Sequence, residues 1–117
     1  MRKSEVEELF ALELKSHKIQ FEREVRLIPQ RKFRWDFVIE GLAIEIQGGT
    51  FKGSRGGHTS GMGYQKDCEK MQLVVMEGHT PLYFTSDDVR KGRAIKVIKE
   101  LINGRHHTSS KVGAANS

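Results

Sequence analysis

The chain has 117 residues, enough for one hydrophobic core and too few for a second, so a single domain is expected. Its 20 Lys and Arg against 15 Asp and Glu leave a formal charge of +5, and an isoelectric point near 9.5 points to a polyanion such as nucleic acid as partner. One cysteine, Cys68, excludes an internal disulfide and a cysteine-built zinc site, while the absence of a bilayer-length apolar run or a secretion signal leads us to expect a cytoplasmic protein with no membrane partner.

Residues 4–18 predict a helix. Ser4 is an N-cap candidate with Glu7 at capping-box spacing, and Glu5, Glu7 and Glu8 crowd the first turn, where the helix dipole favours acids. Val6, Leu9, Phe10, Leu12 and Leu14 form the apolar arc. Glu7 falls at its edge, where it either caps the helix or sits half-buried and points toward the sheet. Residues 21–28 alternate as a strand, which Pro29 ends. Arg31 and Lys32, with Arg34, then form a small positive cluster that phosphates could use, or else solvated loop charges.

The strongest pattern spans residues 34–47. Trp35, Phe37 and Ile39 alternate with Arg34, Asp36 and Val38, and after Glu40 and Gly41 the set Leu42, Ile44, Ile46 alternates with Ala43, Glu45, Gln47. Two strands joined by a two-residue turn pair Ile39 with Leu42, which puts Asp36 opposite Glu45 and Arg34 opposite Gln47. All four share one face, and the large apolar residues fill the other. Like charges directly opposite each other destabilise a sheet, so two carboxylates there point to a cation between them, and hard oxygen ligands suit Mg²⁺ or Mn²⁺. The alternative is that Arg34 or a lysine from elsewhere neutralises the pair and the site is only a salt-bridge cluster.

Residues 48–63 contain seven glycines in sixteen, which predicts a mobile loop whose backbone and basic residues Lys52, Arg55 and His58 face a phosphate chain. Residues 64–77 predict a second helix with the stripe Tyr64, Cys68, Met71 and Val75, closed by Gly78. Cys68 reads as a small core residue. Lys66 could lean back over the carboxylates. A short strand at 80–85 follows, then a last helix capped by Ser86, Asp87 or Asp88 and stopped by Asn103 and Gly104. The domain is thus expected over 1–104, and 105–117 as a flexible tail.

The order helix, three strands, helix, strand, helix, with Asp36 and then Glu45, Ile46, Gln47 on the middle strands, resembles the PD-(D/E)XK nuclease superfamily over residues 4–88. Arg34 to Phe37, Glu45 to Gly49, and Gly63 to Lys70 make it most similar to small phage and archaeal-type Holliday junction resolvases and very-short-patch-repair-like endonucleases. The resemblance implies a restriction-endonuclease-like α/β core, a central mixed sheet of about four strands flanked by helices. It implies a magnesium-dependent, structure-selective DNA endonuclease acting on branched or double-stranded DNA as a homodimer in a bacterial, archaeal or phage-infected cytoplasm. A nicking or mismatch-type endonuclease and a catalytically inactive DNA-binding module are the alternatives.

By the same resemblance, Asp36, Glu45, the backbone carbonyl of Ile46 and a first-helix glutamate, Glu7, bind the metal. Glu5, Glu8 and Glu13 stay open as alternatives to Glu7. Gln47 departs from the pattern, standing where the superfamily usually has lysine. Glutamine can position a water but carries no positive charge. Either Lys66 supplies that charge, which is the favoured reading, or the metal acts alone, or the enzyme is slow or inactive. Arg31, Lys32, Arg34, Lys52, Arg55 and His58 are the expected DNA contacts.

Overall fold

The computed structural model describes residues 2–47 and 62–115, with side chains throughout except at 62–64 and 105–115. Its elements run α1 (Lys3–Ser16), β1 (Glu22–Val25), β2 (Trp35–Ile39), β3 (Leu42–Gln47), α2 (Met62–Met76), β4 (Thr80–Thr85), α3 (Ser86–Arg90) and α4 (Arg93–Ala115). The strands form one mixed sheet in the order β1-β2-β3-β4, antiparallel across the first two pairs and parallel in the last. The class is α/β, a four-stranded mixed sheet flanked by helices, as the sequence predicts. Among the described residues no helix is long and apolar enough to cross a membrane.

The hairpin at the centre turns through Glu40 and Gly41, both left-handed at φ 44° and 85°. A turn with two left-handed residues matches the right-handed twist of its strands and fixes their register. Ile39 pairs with Leu42, Val38 with Ala43 and Phe37 with Ile44, the predicted alignment. β3 then takes β4 as a parallel neighbour, with Glu45 beside Tyr83 and Gln47 beside Thr85. A parallel pair needs a crossover, and α2 lies in that connection.

Both faces of the sheet are covered. On one, Phe37, Ile39, Leu42, Ile44 and Ile46 pack against Val6, Phe10 and Leu14 of α1, Val89 of α3 and Ile98 of α4. Phe10 meets Phe37 edge-on at 5.0 Å between ring centres. On the other face, Trp35, Ala43 and Ile28 gather around Val74 of α2, with Val38 and Tyr83 at the margin. Each fully buried side chain of this size stabilises the fold by about 1.5–3 kcal/mol, so the two clusters together hold both helix layers in place.

Several expectations need correction. The sheet does not have one polar and one apolar face, and Trp35, which strict alternation groups with Phe37 and Ile39, is buried in the second cluster instead. Ser4 is not the N-cap of α1. Arg2 is, and its N–H donates to Glu5 Oε1 at 2.9 Å. Leu12 leaves the apolar arc and is 62% exposed. The face of α2 that docks carries Lys70 and Val74, while Met71 and Val75 face outward. Small Ala43 beneath Val74 and a carboxylate for Lys70 set that rotation, which apolar periodicity alone does not register.

The last helix is two. Thr85 caps α3, its Oγ1 accepting from the Asp88 N–H while the Asp88 carboxylate accepts from the Thr85 N–H. Gly92, left-handed at φ 77°, separates α3 from α4. The helix does not stop at Asn103 and Gly104 but continues as helical backbone to Ala115. Gly104 lacks the positive φ that lets Gly78 close α2. The loop at 48–61, with Lys52, Arg55 and His58, lies outside the described residues.

Candidate metal centre

Phe37 and Ile44 make the last pair of the hairpin ladder. One step further, where Asp36 and Glu45 come opposite, a side chain ties the strands: Asp36 Oδ2 accepts the Ile46 N–H at 2.8 Å. Asp36 is 7% exposed there. The β1 side of Asp36 is irregular too. Arg23 pairs with Phe37 and Val25 with Trp35, which leaves Glu24 across from Asp36 with a left-handed backbone at φ 55°. That conformation is uncommon and strained for a residue with a Cβ. It breaks the strand alternation at the position where the site is built.

α1 brings Glu7 to this point. Val6, Phe10 and Leu14 anchor the helix on the sheet, and the next side chain round its edge, Glu7, is buried beside Asp36. One carboxylate oxygen from each of Glu7, Glu24 and Asp36 fits within a 4.8 Å spread, a spacing able to hold a metal ion. Lys3, one turn before Glu7, reaches into the same group, 3.2 Å from Glu7 Oε2 and 3.3 Å from Asp36 Oδ2. Burial works to lower the Lys3 ammonium pKa, but Asp36 and then Glu7 outweigh it and hold it above the ordinary lysine value. Arg23 lies 3.6 Å from Glu7 and 2.7 Å from Glu8, with its guanidinium over the Phe37 ring.

α2 supplies the other cation. Lys70, 8% exposed, donates to Glu45 Oε2 at 3.1 Å and to the Arg34 carbonyl at 2.9 Å. Its ammonium also lies 4.7 Å from the Trp35 ring centre and 5.6 Å from that of Phe33, inside cation–π range. Burial and then the negative charge of Asp36 push the Glu45 carboxyl above the usual carboxylate range, against the opposing pull of Lys70 and Lys3. The coupling means that Asp36 and Glu45 share one electrostatic site. Tyr83, beside Glu45 on β4, is pushed up to about 12 by burial first and then by Asp67 and Glu45.

The donor set fits a hard divalent cation. Three carboxylates, Glu7, Glu24 and Asp36, converge, and Glu45 Oε1 on the neighbouring strand is buried with no hydrogen-bond partner among the described residues, an acceptor for which a cation is a natural partner. Ile46 contributes its N–H to Asp36. Gln47 is half-buried at the end of β3, opposite Thr85.

Of the other residues singled out in the sequence, Lys66 is exposed one turn before Lys70, and it is Lys70 that meets the carboxylates. Arg31 is paired with Glu69 at 2.9 Å, and Lys32 and Arg34 are exposed. Three members of the site escaped the sequence reading. Lys70 stands four residues before Val74, so a helix face drawn through Val74 finds it. Lys3 stands four before Glu7, the spacing of a helical ion pair. Glu24 enters through the β1–β2 register, which sets it across from Asp36 and which nothing in the sequence signals. No family model, no curated protein and no solved structure matches the chain.

Proposed function

We propose that the chain is a metal-dependent, structure-selective DNA endonuclease of the PD-(D/E)XK type, acting as a Holliday junction resolvase. The observation that carries this reading is the placement of Asp36 and Glu45 one step beyond the last hairpin pair, electrostatically coupled, with a buried lysine fixed on Glu45. The element order, with three antiparallel strands, a crossover helix and a parallel fourth strand, agrees with a restriction-endonuclease-like core.

Asp36 and Glu45, with Glu7 and the Ile46 carbonyl, would hold Mg²⁺ or Mn²⁺. When bound, such an ion lowers the pKa of a water and neutralises phosphate charge. The chain's own residues do the rest. Lys70 takes the place proposed for Lys66: its fixed ammonium offsets negative charge developing on the phosphate, where a preorganised charge in a partly dry site counts most. Gln47 orients the attacking water by hydrogen bonding. Lys32 and Arg34, exposed beside the site, contact the DNA backbone with Lys52, Arg55 and His58 of the glycine-rich segment. Two copies cut two strands of a symmetric junction, so the active species is a homodimer, in the cytoplasm.

A second reading is a DNA-binding module without catalysis. It is favoured by the two lysines, Lys3 and Lys70, which already neutralise Asp36, Glu7 and Glu45. Incubating the protein with four-way junction, flap, mismatched and linear DNA, with and without Mg²⁺, separates the readings. Paired symmetric cuts in the junction that need the metal and vanish in Asp36→Asn support the resolvase. A single nick identifies a monomeric nicking enzyme, and binding without cleavage in Mg²⁺ or Mn²⁺ leaves the module.

A further inference from the structure

The two lysines at the carboxylates are held very differently. Lys70 is 10% exposed at its side chain and tied to a backbone carbonyl, a carboxylate and two rings. Removing its head from that setting strands a part-buried backbone acceptor and a part-buried carboxylate. Lys3 is 44% exposed at its side chain, sits on the first residue of α1, and touches the site only through its ammonium. Its long stem can swing into water with little else disturbed. Its location is also unfavourable in itself, because a cation at a helix N-terminus opposes the macrodipole. What keeps it there is the pair of carboxylates, Glu7 and Asp36, and the high affinity of its ammonium for a proton reflects them.

We propose that Lys3 is a built-in counter-ion that occupies the divalent cation's place between Glu7 and Asp36 and must leave when the metal binds. The inference rests on the metal-dependent reading above and adds a residue that holds metal affinity down. Without Lys3, Glu7, Glu24 and Asp36 would crowd their charges into the metal-free site, where, among the described residues, Arg23 is the other cation that reaches Glu7. With Lys3, the apoprotein is closer to charge balance, and the metal must displace one ion pair set to enter. Divalent binding is then weakened by the strength of that pair.

The test is a calorimetric titration of the full chain with Mn²⁺ alone, comparing the parent with Lys3→Gln, Asp36→Asn and Lys99→Gln. Lys99 lines a separate cleft with His17, Lys18 and Asn103 and serves as a control for net charge. Lys3→Gln should bind Mn²⁺ about two- to fivefold more tightly, the range expected for releasing a half-exposed pair, while Lys99→Gln stays at the parent value. Thermal unfolding gives the second readout: Lys3→Gln should melt below the parent in EDTA, and the rise in melting temperature on adding Mn²⁺ should be larger for the variant. Equal affinities in the parent and Lys3→Gln, with binding lost in Asp36→Asn, overturn the role of Lys3 and leave the metal site standing. Equal tightening in Lys3→Gln and Lys99→Gln reduces the effect to net charge and also overturns it. No Mn²⁺ binding by the parent or by Lys3→Gln overturns the metal-dependent function itself.

Discussion

The ammonium of Lys70 lies 3.1 Å from Glu45 Oε2 and roofs the Trp35 ring at 4.7 Å, so the residue that charges the site also closes the core beneath it. Both uses follow from one helix rotation, in which Lys70 and Val74 face the sheet.

Lys70→Ala should therefore cost stability as well as activity. Losing the pair leaves the Arg34 carbonyl and a largely buried Glu45 without their donor, a penalty of about 2–4 kcal/mol in urea unfolding. Lys66→Ala, at an exposed position, should leave stability within about 0.5 kcal/mol. In the cleavage assay the first change should lower the rate by about 10² or more and the second should leave it near the parent. Loss of cleavage in Lys66→Ala with Lys70→Ala near the parent would return the role to Lys66.

The pH dependence of stability carries the signature of Glu45. Its carboxyl is raised in the folded chain by burial and by Asp36, so between its unfolded and folded values the native state binds more protons than the unfolded state. Stability then falls as pH rises through that window in EDTA. Glu13, raised by burial, contributes in the same direction, so the difference between the parent and Glu45→Gln isolates the Glu45 share. Urea unfolding from pH 4 upward should show a shallower decline for Glu45→Gln. A parallel pair of curves would contradict the raised carboxyl.

Two glycines separate backbone conformation from packing. A Cβ meets nothing within 4 Å at Gly78 or at Gly104, so neither substitution clashes. Gly78 sits at φ 91°, and Gly78→Ala should lose about 1 kcal/mol through backbone strain. Gly104 lies inside α4, and Gly104→Ala should gain up to about 1 kcal/mol from helix propensity. A loss at Gly104 would mean that the helix ends there after all.

Binding to a four-way junction should depend steeply on salt. Arg34→Ala, which removes an exposed charge beside the site, should reduce the slope of log affinity against log salt by about 1. Glu69→Gln releases Arg31 from its 2.9 Å ion pair and should strengthen binding, most visibly at low salt. Fluorescence anisotropy across a salt series reads both. Unchanged slopes would remove this edge of the sheet from the DNA interface.

What the sequence determined by itself was whatever depends on local chain geometry. Alternation with a period of two and the left-handed pair Glu40 and Gly41 specify the β2–β3 hairpin, and the hairpin alone brings Asp36 opposite Glu45. The same local logic placed Glu7 at the edge of the α1 arc. What only the tertiary structure decided was how separate elements rotate against one another. Periodicity selected Tyr64, Cys68, Met71 and Val75 as the inner face of α2, yet Val74 docks on Ala43 and Lys70 on Glu45, because an ion pair and a small residue beneath the helix outweigh a few exposed apolar groups. Glu24 joins the carboxylates through the β1–β2 register and carries a left-handed backbone that no pattern announces, and Lys3 finds Asp36 from 33 residues away. Contacts across such separations depend on the packing of whole helices, and packing is a property of the assembled sheet rather than of any one stretch of chain.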